Sequence, residues 1–64
     1  MTIIEVMRLL PDETYVLLDN NGETTLHGNV RNLMKIEEAD YSPEVCEISA
    51  YNKNGITITY NINN

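Results

Sequence analysis

Apolar and polar residues alternate most regularly near the end of the chain, over residues 45–62. Two alternating runs flank Lys53-Asn54-Gly55, and Asn-Gly between such runs predicts a β-hairpin. A two-residue turn at Asn54-Gly55 would pair Tyr51 with Ile58. A three-residue loop aligns the apolar positions with one another, and the pattern favours that register. It predicts a core face made of Cys46, Ile48, Ala50, Ile56, Ile58, Tyr60 and Ile62. The opposite face is predicted to be polar and solvated.

A similar hairpin is predicted earlier in the chain, where residues 14–19 and 23–27 flank an Asn-Asn-Gly turn at 20–22. A three-residue loop would place Leu18 opposite Thr24, and a two-residue turn would shift the pairing by one residue. The apolar pattern is compatible with both, so the register of this hairpin stays open.

A helix is predicted before each hairpin. Thr2 and Glu5 form a Thr-x-x-Glu capping box, apolar residues follow at helical spacing, and Pro11 ends this helix at Leu10. A second and shorter helix is predicted after Asn29, whose side chain suits the N-cap position.

These elements follow one another in the order α-β-β-α-β-β within a single domain that spans residues 1–64. The predicted fold class is α+β, with one four-stranded antiparallel sheet of two hairpins and two short helices packed on one face. Two separately packed hairpins are the alternative.

The charge balance restricts the classes of partner. Ten acidic and four basic residues give a net charge of −6, which argues against nucleic-acid binding because that function needs a basic footprint. No signal peptide is recognised at the start, and no apolar run reaches membrane-spanning length. With a single cysteine, Cys46, these features predict a protein of the bacterial cytoplasm that has no membrane partner.

The small size of the chain favours self-association. A domain of 64 residues buries only about 60% of its unfolded surface, and oligomerisation is one common remedy. The first helix is apolar around most of its circumference. Packing on one face of a sheet would bury only part of that apolar surface. The pattern therefore predicts a homodimer through Ile3, Ile4, Val6, Met7 and Leu10.

The residues that could support catalysis form no recognisable motif. His27 is the only histidine, and no nucleophile or carboxylate is placed beside it by any known spacing. Cys46 stands between Glu44 and Glu47 and on the predicted core face, whereas a reactive thiol needs an electropositive, partly exposed setting. We expect no catalytic residue, no cofactor and no metal site.

One stretch has an anomalous charge, because five acidic residues and no base fall within residues 37–47. A solvated loop is the simplest explanation, and docking on a protein with a basic surface is the functional one. The opposite face of the last hairpin adds an aromatic side chain that could anchor such a contact. The predicted partner-binding residues are Glu37, Glu38, Asp40, Glu44, Glu47 and Tyr51.

The chain also resembles a family. The segments TIIEVMRLLPDETYVLLD, LHGNVRNLM and YSPEVCEISAYNKNGITITY are similar to small uncharacterised accessory proteins of phages and prophages of Firmicutes. In those proteins a short helix, a hairpin, a G-x-V-x-x-L segment and a closing hairpin follow one another, and the third part reads Gly28, Val30 and Leu33 here. The resemblance implies a protein that binds host factors, including inhibitors of host defence, and it transfers no catalytic residue.

Two functional hypotheses follow. The first is a non-catalytic binding protein, encoded by a phage, that inhibits a host defence protein through its acidic surface. The alternative is a homo-oligomer that binds a small ligand, such as a nucleotide signal, between its subunits. A phosphate ligand would require convergence of Arg8, Arg31, Lys35 or Lys53, because the net charge is strongly negative.

Overall fold

A computed structural model describes residues 1–62, and the elements follow the predicted order α-β-β-α-β-β. The helices are α1 (Ile3–Arg8) and α2 (Val30–Leu33). The strands are β1 (Tyr15–Asn20), β2 (Glu23–Asn29), β3 (Val45–Asn52) and β4 (Gly55–Tyr60).

The four strands form one mixed sheet in the order β2-β1-β4-β3. Both hairpins are antiparallel, but β1 and β4 lie parallel at the centre, so the prediction of a fully antiparallel sheet is wrong for this pair. The crossover through α2 gives the chain enough length to bring β4 back beside β1. The central position suits β4 because its sequence, GITITY, contains no charge, whereas β3 contains Glu47.

The helices pack together on one side of this sheet, as predicted, and form the core with it. The predicted capping box is present, since Glu5 N donates to Thr2 Oγ1 at 3.3 Å and Thr2 N donates to Glu5 Oε1 at 2.9 Å. Asn29 caps α2, as expected, by accepting from Asn32 N at 3.1 Å. Among residues 1–62, the buried side chains are those of Ile3, Val6, Met7, Val16, Leu18, Val30, Leu33, Ile58 and Tyr60.

Helix α1 ends at Arg8 rather than at the predicted Leu10. The last amides bond three residues back instead of four, with Leu10 N donating to Met7 O at 3.2 Å. This tighter final turn satisfies the carbonyl groups of the helix end before Pro11 is reached.

The N-terminal residues run beside the chain that enters β3. Ile3 N donates to Pro43 O at 3.0 Å, and Val45 N donates to Met1 O at 2.7 Å. Thr2 also forms an antiparallel bridge with Glu44. Residues 1–2 therefore cover the beginning of β3 and fix the start of α1.

The first hairpin combines a two-residue turn with an irregular register. Asn21 and Gly22 have φ angles of 51° and 97°, which is typical of the two-residue turns that match the twist of a hairpin. Beyond the turn, Thr25 is an extra residue on β2, so Leu18 lies opposite Leu26. Thr25 Oγ1 donates to Leu18 O at 3.2 Å and lies 2.8 Å from the Tyr60 hydroxyl, which stabilises this irregularity.

The second hairpin has a different register from the predicted one. Asn52 pairs with Gly55 across a two-residue loop, and Asn52 Oδ1 accepts from Asn54 N at 2.9 Å. This side-chain bond closes the turn, which the three-residue prediction did not take into account. Ile48 lies opposite Ile58 rather than Tyr60. Because the shift is two residues, Ile48 keeps its predicted side of the sheet.

Four residues of the predicted core face are exposed: Cys46, Ile48, Ala50 and Ile62. Cys46 is an extra residue between Val45 and Glu47, and Val45 takes the place opposite Tyr60. Ile62 lies beyond the end of β4 and is also exposed. Their assignment to the core was wrong. The irregularity at Cys46 reverses the alternation locally, and Ile62 lies outside the strand. Ile48 and Ala50 keep the predicted side of the sheet but lie on an edge strand that the core does not cover.

Candidate functional site

The side of the sheet that faces away from the helices, here called the outer face, brings together side chains from all four strands. Cross-strand pairs place most of these residues, because residues directly opposite each other in a sheet point to the same side. Tyr51 is an extra residue between Ala50 and Asn52, and its stacking on Tyr15 places it on this face. The outer face consists of Tyr15, Leu17, Asp19, Thr24, His27, Glu47, Ser49, Tyr51, Thr57 and Thr59.

Three ring-bearing residues lie side by side on the outer face and form what we call the aromatic row: Tyr51, Tyr15 and His27. The Tyr51 and Tyr15 rings are stacked, with centroids 6.0 Å apart and planes inclined by 25°. The Tyr15 hydroxyl lies 2.8 Å from His27 Nδ1, within hydrogen-bond distance. Stacking and hydrogen bonding therefore fix the central ring from both sides, while Tyr51 remains 52% exposed.

Gly55 explains how the row can cross the sheet. It lies opposite Tyr15 in the parallel pair and is buried. A Cβ atom at this position would come within 3.0 Å of the Tyr15 backbone oxygen and 3.3 Å of Tyr15 Cβ. The Asn52 side-chain oxygen also lies within 3.0 Å, so Tyr15 and Asn52 occupy the space that any larger residue at position 55 would need.

The charge of the outer face has one sign. Asp19 and Glu47 contribute carboxylates, and none of the residues that define this face is a lysine or an arginine. Thr59 lies between these two carboxylates, and the hydroxyl-bearing residues Ser49 and Thr57 lie one pair nearer to the aromatic row. The face therefore offers hydrogen-bond acceptors and flat rings to a cationic group.

The predicted partner-binding residues do not form one cluster. Glu47 and Tyr51 lie on the outer face, as described above. Glu37 and Glu38 are exposed in the connection between α2 and β3. Within residues 1–62, no group of three or more acidic, histidine or cysteine residues could hold a metal ion.

Asp40 and Glu44, two further residues of the predicted set, make local contacts. Asp40 Oδ1 accepts from Ser42 Oγ at 2.6 Å and from Ser42 N at 3.0 Å, and these bonds hold the pKa of Asp40 below its ordinary value. Glu44 Oε2 lies 3.2 Å from the N-terminal ammonium group. Both carboxylates therefore help to shape the segment that holds the start of α1.

His27 and Cys46 do not form a catalytic pair. His27 lies on β2 and Cys46 on β3, which are the opposite edges of the four-stranded sheet. Three inter-strand spacings separate these strands by roughly 14 Å. That distance leaves the thiol without a neighbouring base, and the nearest partner of His27 is the Tyr15 hydroxyl.

The predicted homodimer surface on α1 is largely occupied by the chain itself. Ile3, Val6 and Met7 are buried in the core, and Ile4 and Leu10 pack half-buried against it. The helix therefore offers a second copy less apolar surface than its pattern suggested.

The sequence pattern did not reveal the exposed side of β3. Every residue of this strand except Val45 is exposed, although Ile48 and Ala50 point to the same side as the core. The alternation of apolar and polar residues predicts which side of the sheet a residue faces. It does not predict that the helices leave β3 uncovered.

An open cleft of about 660 Å³ lies where the second hairpin turn meets the chain after α1. Pro11 and Thr14 line one side, and Ala50 and Ile56 line the other. Lys53 is the only basic residue of its lining and Glu13 the only acidic one. The cleft thus has no concentration of charge.

Comparison of the chain with protein-family models, with curated proteins and with solved structures gave no match. Among the residues that the structure describes, no helix is both long and apolar enough to span a membrane.

Proposed function

We propose that this chain is a non-catalytic binding protein that docks on a basic protein surface through its outer face. The outer face carries the aromatic row at one end and Asp19 and Glu47 at the other, with no lysine or arginine among its residues, and this observation supports the proposal.

The chemistry of such a contact follows from the side chains present. An arginine of the partner can lie over the exposed Tyr51 ring, where a cation–π contact is worth about 0.5–1 kcal/mol at an exposed site. Glu47 lies four residues away on the same strand, roughly 13 Å, so it would accept from a second cationic group of the partner on the same face. Stacking on Tyr15 holds the Tyr51 ring in place, which lowers the entropy lost on binding.

The resemblance to phage and prophage accessory proteins extends this proposal to a biological setting. In that setting, the chain would act in the cytoplasm of a bacterial host and inhibit a host protein, such as a defence factor, by covering its basic surface. The lone cysteine suits that reducing compartment. A steric inhibitor needs no catalytic group.

The proposal is tested with an arginine-rich peptide and a peptide of the same sequence in which citrulline replaces every arginine. Titration calorimetry at low salt should show binding of the arginine peptide and at least about tenfold weaker binding of the citrulline peptide. Glu47→Gln should weaken binding of the arginine peptide about threefold, and Tyr51→Ala should weaken it about fivefold.

Glu38→Gln is the matched control, because it changes the net charge as Glu47→Gln does but lies outside the outer face. We expect it to leave the affinity nearly unchanged. Equal binding of the two peptides would contradict recognition of a cation. Equal losses from Glu38→Gln and Glu47→Gln would contradict the outer face and favour the acidic connection.

The second candidate is a homo-oligomer that binds a small ligand, and the cleft beside the second turn is the observation in its favour. Only Lys53 supplies a positive charge there. Arg31, which a phosphate ligand would also need, lies 3.5 Å from Glu13 in an ion pair. A neutral ligand therefore suits this cleft better than a nucleotide.

A further inference from the structure

The outer edge of β3 is free over most of its length. In the sheet, β3 pairs only with β4, and residues 1–2 cover just its beginning at Glu44 and Val45. From Cys46 to Asn52, no strand among the described residues pairs with this edge. A row of unpaired backbone groups on an edge is a template for another strand.

The side chains of this edge favour a strand as neighbour. Ile48 is 50% exposed and lies beside the exposed Ala50, so an apolar strip follows the free edge on the helix side. Protected edges carry several charges, a proline or bulges. β3 carries a single charge, Glu47, and its irregularities at Cys46 and Tyr51 leave a regular stretch from Glu47 to Ala50 between them.

The distribution of charge around β3 suggests which strand would pair with its free edge. Over residues 36–62 all five acidic residues precede β3 or lie in its first half, and the only base, Lys53, follows directly after the strand. Antiparallel pairing of two identical strands places the acidic end of each beside the lysine end of the other. The edge is therefore complementary in charge to itself.

We propose that two copies of this chain pair antiparallel through β3, with Ser49 facing Ser49 of the second copy. Ile48 then lies opposite Ala50 of the second copy, which extends the apolar strip across the interface. Glu47 lies opposite Tyr51 of the second copy, so the two Glu47 carboxylates do not meet. The result is a continuous eight-stranded sheet with two-fold symmetry.

The dimer also has a consequence for the outer face. A two-fold axis perpendicular to the sheet places both outer faces on the same side, so two aromatic rows form one extended surface. A partner with two basic sites would then bind with avidity. Self-pairing does not depend on the proposed function, because Ile48 lies on the other side of the sheet.

An edge contact of this length buries less than the roughly 1,200 Å² of a standard interface, so the dimer should be weak and dependent on concentration. Sedimentation velocity from about 10 μM to about 1 mM is the test. A reducing buffer prevents disulfide formation by the exposed Cys46. We expect the wild-type chain to shift from monomer to dimer within this range.

Ile48→Lys should weaken the self-association at least about tenfold, because it places a charge in the apolar strip. Met34→Lys is the matched control, since Met34 is an exposed apolar residue, 42% accessible, at the end of α2, which packs on β2 at the opposite edge of the sheet. It should leave the self-association unchanged.

Two charge variants test the orientation of the strands and do not alter the apolar strip. Lys53→Glu should weaken the dimer, and the combined variant Glu47→Lys with Lys53→Glu should restore it, because the two ends then attract each other again. A wild-type chain that stays monomeric up to about 1 mM would overturn the proposal. So would a dimer that Met34→Lys disrupts and Ile48→Lys does not.

Discussion

Ile58 and Ile48 face each other across β4 and β3 and point to the same side of the sheet, yet their surroundings differ completely. Ile58 is fully buried, whereas Ile48 is 50% exposed. The helices contribute their buried side chains to a core over the central strands, and β3 extends beyond that core. The two residues have the same type and face the same side, so the position of the strand in the sheet decides which one is buried. A central strand forms the core, and an edge strand remains available for binding.

Truncation of these two isoleucines should show the largest contrast. Ile58→Ala should lower the free energy of unfolding by about 2–5 kcal/mol, because it leaves a cavity between the helices and the sheet. Ile48→Ala should lower it by less than about 1 kcal/mol, since half of the side chain already contacts solvent. Urea denaturation of both variants measures the difference. Similar losses would mean that β3 is covered in the folded chain.

Gly55→Ala tests the contact between the central strands and the aromatic row. The added methyl group meets the Tyr15 backbone, so we expect a loss of about 2 kcal/mol and an altered Tyr51 environment. Gly22→Ala is the control, because nothing lies within 4 Å of its new methyl group. Only the cost of a positive φ, about 1 kcal/mol, should remain there. A harmless Gly55→Ala, measured by thermal unfolding, would contradict the packing of the row.

Acid should destabilise the helix side of the molecule. Hydrogen bonds from the backbone and side chain of Thr2 lower the pKa of Glu5, and those from Ser42 lower the pKa of Asp40. Because both folded-state pKa values lie below the unfolded ones, their contribution is present above about pH 4.5 and is lost as the pH falls through the folded values.

Ser42→Ala checks this assignment. Its unfolding midpoint in urea should fall less than that of the wild-type chain between about pH 7 and about pH 3, because the pKa of Asp40 returns towards its ordinary value. Ser49→Ala on β3 is the matched control and should retain the full pH dependence. If Ser42→Ala retained it as well, another group would be responsible.

The smallest expected effect concerns the aromatic row itself. Tyr15→Phe removes the hydroxyl group that lies 2.8 Å from His27 Nδ1 but keeps the ring that stacks on Tyr51. We expect a loss of about 0.5 kcal/mol, because the bond is exposed to solvent. His27→Ala should cost a similar amount. The double variant should cost less than the sum of both if the hydrogen bond couples them.

Much of the fold could be predicted from local chemistry. The order of elements, the capping box at Thr2, the N-cap at Asn29 and the positions of both turns follow from side chains that act on their own neighbourhood. The parallel pairing of β1 with β4 could not be predicted in this way, because it depends on which hairpin strand enters the centre of the sheet.

The strand registers and the composition of the outer face could not be predicted from the alternation of apolar and polar residues alone. The side-chain bond of Asn52 shortened the second loop, and extra residues at Thr25 and Cys46 reversed the pattern locally. Glu47 and Tyr51 were predicted as contact residues and share one face. The contributions of Tyr15 and His27 to that face became visible only when the hairpins were placed side by side.

The central claim is that the outer face binds cationic groups. Amide chemical shifts of the isotope-labelled chain, recorded at low salt during addition of the arginine-rich peptide, test this claim most directly. The account predicts that the largest changes occur at Tyr51, Glu47 and neighbouring outer-face residues and are absent with the citrulline peptide. Changes confined to the helices or to Glu37 and Glu38, or equal changes with both peptides, would contradict it.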